Sequence, residues 1–198
     1  MSFSLGAYTL ESDGFRENND QDERTYNAFF QFQQSPDTSW LAEVRDATRE
    51  FGELKVLFLP GIDAGLPRQR EDSTNARVGV RHDFSPRSTV GAFFNYGTGD
   101  LAVTSLEPNI TTDIGFDTYT GELQHLYTGE RWRLVTGLRA LKGDFDSATT
   151  FRVTLPEPPF ELEVRSEDPF TTRLVSPYSY ATVDAILEEL EVTIGLSA

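Results

Sequence analysis

The residue types that ordinarily carry chemistry are few in this chain. Its two histidines are His82, at a strand end beside a turn, and His125, just past a strand centre. Neither has partners at the spacing of a metal site or a catalytic triad, so each reads as an interface or surface histidine. No G-x-S-x-G marks a nucleophile elbow, and no glycine-rich loop is shaped to cradle a phosphate. With no cysteine there is neither a disulfide framework nor a thiolate metal site. Two acidic clusters, Asn18-Asn19-Asp20-Gln21-Asp22-Glu23 and Asp144-Phe145-Asp146, offer hard oxygens of the kind Ca²⁺ takes. Both lack the glycine and distal glutamate of an EF-hand loop. They read as solvated loop faces, with divalent ions bridging lipopolysaccharide as a variant of the calcium idea. The residues suggest no cofactor and no catalysis.

The arginines are more informative. Arg45, Arg77, Arg81, Arg133 and Arg139 each fall on the polar side of an alternating segment, together with Glu43, Glu122 and Gln124. If these segments wall a barrel, these side chains point into a lumen where water or opposite charge satisfies them. There they can set ion preference or touch a passing solute. The same residues can equally form salt-bridge ladders that brace neighbouring strands. The sequence leaves both readings open.

The elements that position them are strands. In Thr25 to Glu50, Tyr26, Ala28, Phe30 and Phe32 share one face, and Asn27, Phe29, Gln31 and Gln33 the other. After Ser35-Pro36-Asp37-Thr38 the pattern returns with Trp40, Ala42 and Val44 against Glu43 and Arg45. Period-two alternation around Pro-Asp is a β-hairpin. Asn75 to Gly97 repeats it around Ser85-Pro86-Arg87-Ser88, so SPDTSW and SPRSTV are internal echoes. Asp117 to Leu141 is a third hairpin, turning at Thr128-Gly129-Glu130-Arg131. A fourth runs from Tyr178 through a turn near Glu188-Glu189 to Ala198. Ser2 to Leu10 adds a leading strand. The segments between hairpins, Phe51 to Thr74, 98–113 and 143–177, read as long polar connections, with Thr149–Leu155 and Phe160–Arg165 extending as a further hairpin beyond the main sheet. The aromatics Tyr26, Trp40, Tyr96, Tyr127, Trp132 and Tyr180 fall near strand ends, as an interfacial girdle requires, although a soluble sheet would use them as core.

Composition sets bounds on partners. A net charge of −15 and a pI near 4.4 exclude nucleic acid as a partner, because phosphate binding needs a basic face. Hydrophobic content of 38%, with 15 Phe and 7 Tyr, is enough to cover a sheet. No apolar run approaches a membrane-spanning helix, and Met1-Ser2-Phe3-Ser4-Leu5-Gly6 reads as strand rather than as a signal peptide.

Short turns at one end, long connections at the other and alternating segments of about ten residues describe an outer-membrane β-barrel. DGFRENNDQDERTYNAFFQFQQSPDTSWLAEVRDATREFGEL and RVGVRHDFSPRSTVGAFFNY resemble hairpins of the C-terminal barrel in bacterial outer-membrane proteins that carry tetratricopeptide repeats upstream. The barrel of the poly-N-acetylglucosamine export porin is a looser likeness. The chain departs from that pattern in lacking the helical repeats and a terminal aromatic residue.

The expectation is therefore an all-β, antiparallel up-and-down meander of about 8–10 strands, with residues 1–198 a single, partial barrel domain. About nine strands are expected, whereas bacterial barrels have an even number, and an open edge has no hydrogen-bond partners in lipid. The expected partners are outer-membrane lipid, a transported solute, and the remainder of the barrel or an upstream repeat domain. The expected role is a non-catalytic channel or export pore in the bacterial outer membrane. The competing expectation is a soluble all-β surface module, an adhesin or carbohydrate binder, that buries its aromatic face between two sheets and binds through acidic loops. A hydrolase is the weakest reading.

Overall fold

The computed structural model describes residues 1–15, 18–52, 67–106, 109–155, 160–186 and 190–197. Ten strands make one antiparallel sheet: β1 (Ser2–Ser12), β2 (Gln21–Ser35), β3 (Thr38–Gly52), β4 (Arg68–Ser85), β5 (Ser88–Leu106), β6 (Asn109–Thr128), β7 (Trp132–Leu155), β8 (Phe160–Glu167), β9 (Phe170–Ile186) and β10 (Leu190–Ser197). Each strand pairs with its sequence neighbour, except that β7 pairs with both β8 and β9. β8 and β9 are one lane interrupted at Asp168-Pro169. Ala148 faces Glu167 and Phe145 faces Phe170, so the register runs on unchanged across the break. Pro169 has no N–H to give to a ladder. The Asp168 N–H still reaches the Ser147 carbonyl at 2.8 Å.

Both Ser-Pro turns close in the same way. The Ser35 hydroxyl accepts from the Asp37 N–H and the Ser85 hydroxyl from the Arg87 N–H, each at 3.3 Å. Each ladder also slips just before its turn, at Gln33/Ser35 and Asp83/Ser85. The sequence echo is thus an echo of hydrogen bonding.

Most of the expected long connections are strand. Arg68–Thr74 belongs to β4, and only residues 107–108 separate β5 from β6. The 143–177 stretch is the upper half of β7, then β8 and the start of β9, which includes the expected outlying hairpin. The acidic composition there misled the loop reading, since exposed strands tolerate Asp, Thr and Arg when cross-strand partners exist. Residues 53–66 and the turn near Glu188-Glu189 lie outside the described residues.

The described residues form a single layer. Among the described residues no hydrophobic side chain is buried. The chain exposes 14168 Å², against roughly 9,400 Å² for a compact protein of 22.2 kDa. A sandwich would hide one face of each sheet, whereas here both faces of one sheet are open. Among the described residues the sheet lacks the second layer that the soluble binding module requires.

Candidate functional site: the two faces of the sheet

Because paired residues share a face, the ladders assign every side chain. The rung Phe32–Trp40–Val80–Ala92–Leu123–Leu138 lies on what we call the belt face. Around it are Phe3, Leu5, Phe30, Val44, Val78, Phe94, Val175, Val183, Ile194 and Leu196, all exposed. Leu123 is 55% exposed and Ile194 is 67% exposed.

The belt has aromatic edges. At the short-turn edge, Trp40 Nε1 donates to Gln34 Oε1 at 2.9 Å, and Tyr127 stacks on Trp132 at 5.1 Å. At the opposite edge, Tyr96 lies 5.1 Å from Tyr119, and its hydroxyl donates to Asp117 Oδ1 at 2.6 Å. Lys142 Nζ sits 5.9 Å from the centre of the Tyr119 ring. At both edges the polar tips point out of the belt, as amphipathic rings do at a membrane interface. Tyr26 and Tyr96 mark the upper edge from mid-strand rather than from strand ends. Tyr180 is a correction. It pairs with Val135 and so lies on the reverse face, against Tyr178.

The belt runs obliquely across the ladder. Its lower edge is Phe32 on β2, whose rung reaches Leu138 on β7, yet on β7 the apolar positions continue six residues further, to Trp132. Its upper edge is Tyr26 on β2, whose rung reaches Asp144, yet on β7 the apolar run stops at Ala140. Six residues are about 20 Å of strand and five strand spacings about 24 Å, which gives a slope of about 40°. The upper edge gives about 30° by the same measure. An apolar band level with a membrane must slant in this way if its strands tilt by the 35–45° of a barrel wall. From Trp132 to Ala140 the band is about 27 Å along the strand and about 20 Å high once tilted, near the height of a barrel's lipid band.

Above the belt the two faces exchange character. On the belt side stand Asp72, Asp100, Asp117, Asp144, Asp146, Arg152 and Glu163, while the reverse side carries Leu101, Val103, Ile114, Phe116, Phe145, Phe151, Val164 and Phe170. Phe145 stacks on Phe170 at 4.7 Å, and Phe116 follows at 6.4 Å. The Phe116 ring lies over Gly99, where a Cβ would stand 2.8 Å from it.

The reverse face at belt height holds every arginine and glutamate singled out in the sequence. Glu43 pairs with Arg77, and Arg139 Nε donates to Glu122 Oε2 at 2.7 Å. Arg81 bonds Asp83 within its own strand at 3.1 Å. Arg133 lies on the same face between Thr128 and Thr182. Arg45 stands beside Asn27 and Asn75, with no ion-pair partner among the described residues. A residue that the alternation did not flag completes the Glu122 cluster. Tyr178 lies over Gly137 and donates its hydroxyl to Glu122. Glu43 and Arg77 are partly exposed, so this bridge contributes little. A double-mutant cycle of Glu43→Gln and Arg77→Gln, read by urea unfolding in micelles, is expected to give a coupling below about 1 kcal/mol.

The histidines lie on the belt face. His82 Nδ1 meets Thr38 Oγ1 at 2.8 Å, and His125 Nε2 meets Ser88 Oγ at 2.9 Å, each a cross-strand bond. Among the described residues no group of acidic or histidine side chains has the geometry of a metal site.

At the end away from the short turns, Arg68 on β4 ties β3 to the residue that precedes β2. Its guanidinium meets Asp20 at 3.0 and 2.7 Å and Glu50 at 2.6 Å, while the Gly52 N–H reaches the Asp20 carbonyl at 3.3 Å. The hydrogen bond from Arg68 holds the Asp20 carboxyl below its ordinary value of 3.8. A depressed folded pKa stabilises above the unfolded pKa, and the contribution is lost as pH falls through the folded value. The protection of the Gly52 amide against exchange, relative to its intrinsic rate at each pH, is therefore expected to fall below pH 3.8 in the native chain, and in Asp20→Asn to be low already at neutral pH.

No protein-family profile matches the chain, and no curated protein does. Solved structures do. The ferric preacinetobactin receptor BauA of Acinetobacter baumannii superposes with a TM-score of 0.69 at 10% identity, over 98% of this chain and 36% of that one. The alcaligin outer-membrane receptor FauA of Bordetella pertussis gives a TM-score of 0.51 at 16% identity, over 92% and 35%. The chain thus spans about a third of the length of the receptors it matches. Its fold is the antiparallel meander of an outer-membrane β-barrel wall.

Proposed function

We propose that this sheet is part of the wall of an outer-membrane β-barrel that carries a solute through its lumen, without catalysis. The observation that carries the reading is the slanted, aromatic-edged apolar belt on a single-layer sheet. Lipid covers such a face without a second protein layer, and water in a lumen satisfies the arginines and glutamates behind it. Glu43, Arg45, Arg77, Arg81, Glu122, Arg133 and Arg139 then line the pore. The edges at β1 and β10 need partners within lipid, which further strands of the same barrel supply. The two neighbours are receptors, which favours transport over enzymatic work and gives no support to the tetratricopeptide-linked export porin. Accumulation of a panel of labelled solutes of both charge signs in cells with and without the full-length protein tests the role. A solute whose accumulation depends on the protein supports it, and identical accumulation across the panel contradicts it.

A further inference from the structure

Arg45 differs from the other reverse-face arginines around it in a way that the ladder explains. It sits in the rung Gly6–Asn27–Arg45–Asn75–Gly97. Both flanking amides lean away from it. The Asn27 side chain lies over Gly6, in the space a Cβ would fill, and Asn75 Oδ1 lies over Gly97, 2.7 Å from where a Cβ would stand. The glycines thus draw the amides off the guanidinium. The nearest carboxylates are also taken. Glu43, two residues before Arg45 on the same face, bonds Arg77, and Glu23 bonds Arg49 at 3.2 Å. What remains beside Arg45 is a hollow of about 240 Å³, walled by Arg49, Glu23, Glu71 and Asn75 with Ala47 and Ser73 between them. Among the described residues Arg45 has no hydrogen-bond or ion-pair partner.

A guanidinium presents a planar fork of donors that matches a carboxylate or a phosphate with two parallel hydrogen bonds. In most of this wall a glutamate or aspartate fills that fork, and at Arg45 the fork is open. We propose that Arg45 is the centre of an anion subsite that holds one carboxylate or phosphate group of the solute in the lumen, with Ser73 as a further donor. Glu71, four residues along β4 from Asn75, closes the far rim and repels a second negative group, so the subsite takes a single anionic head. This proposal rests on the lumen reading of the reverse face and deepens it by naming the chemical class of solute.

The test is arginine modification by phenylglyoxal on the full-length protein folded in detergent, with the rate at each arginine read by mass spectrometry, alone and with lactate or inorganic phosphate. Arg45 is expected to react roughly threefold faster than Arg77 and Arg139, the modest ratio that exposed ion pairs provide. Lactate or phosphate is expected to slow Arg45 while leaving those two unchanged, and whichever anion protects identifies the head group. If Arg45 reacts but neither anion slows it, the subsite is overturned and the water-filled lumen stands. If Arg45 is inert in the folded protein, the reverse face is not water-facing, and both readings fall.

Discussion

Leu123→Arg is expected to destabilise the folded, membrane-embedded sheet by about 2–4 kcal/mol, the cost of a cation near the midplane of a barrel's lipid face. Leu123 lies at the centre of the belt on β6, between Ala92 and Leu138, with four residues to each aromatic edge at Tyr119 and Tyr127. The measurement is urea unfolding of the full-length protein in lipid vesicles, with gel mobility before and after boiling as the check on folding. Thr120→Arg provides the contrast. Thr120 is three residues away on the same strand, on the reverse face between Asn95 and Leu141. Its substitution is expected to change stability by no more than about 0.5–1 kcal/mol, as at a solvated position. Equal effects at the two positions would mean that the faces do not differ in solvent.

The second large effect is expected at Gly137. The Tyr178 ring lies directly over this glycine, in the space a Cβ would occupy, and from there its hydroxyl reaches Glu122, which also holds Arg139. Gly137→Val must push the ring aside. That breaks the Tyr178–Glu122 bond and loosens the link across β6, β7 and β9, at a cost of about 1–3 kcal/mol. Tyr178→Ser removes the ring by itself. In the double variant the valine meets nothing, so the two costs are expected to fall short of additive by about 1 kcal/mol. Strict additivity would show that the ring does not rest on the glycine.

The hairpins were legible because their alternation is strict and their turns are stereotyped. Tyr26 to Phe32 and Trp40 to Val44 keep one phase, and both turns open on Ser-Pro at the same place between alternating arms. The sequence also placed the charged residues on the correct face, since period two leaves no choice once the apolar face is known. Arg68–Thr74, 98–106 and 143–148 were not legible as strand, because the first has no apolar residue and in the other two the apolar residues change phase. On β7 the even positions Leu134, Leu138 and Ala140 give way to the odd positions Leu141, Phe145 and Phe151, and on β5 Phe94 and Tyr96 give way to Leu101 and Val103. A reading that expects one apolar face per strand takes the change for a loop. On the proposed reading of the belt, the change marks where the strand leaves lipid. Inside the membrane the apolar side must face outward, whereas above it the outer side faces water.

Two further features needed coordinates. Tyr180 was counted with the girdle from its position near a strand end, but its face is fixed by pairing with β7 across a register that the sequence does not display. The isolation of Arg45 depends on amides leaning over glycines on two neighbouring strands, and no pattern along a single strand carries that information.

A transport role requires that the belt face meet lipid and the reverse face meet water. The chain contains no cysteine, so single cysteines placed in turn at Asn75, Ala76, Arg77, Val78, Gly79 and Val80 can be read against a silent background. These six positions run along β4 at belt height and alternate between the faces. In native membranes a water-soluble maleimide is expected to label cysteines at 75 and 77 and to spare those at 76, 78 and 80, while Leu41 shields position 79. Uniform labelling, or the opposite phase, would contradict the assignment and the transport reading with it.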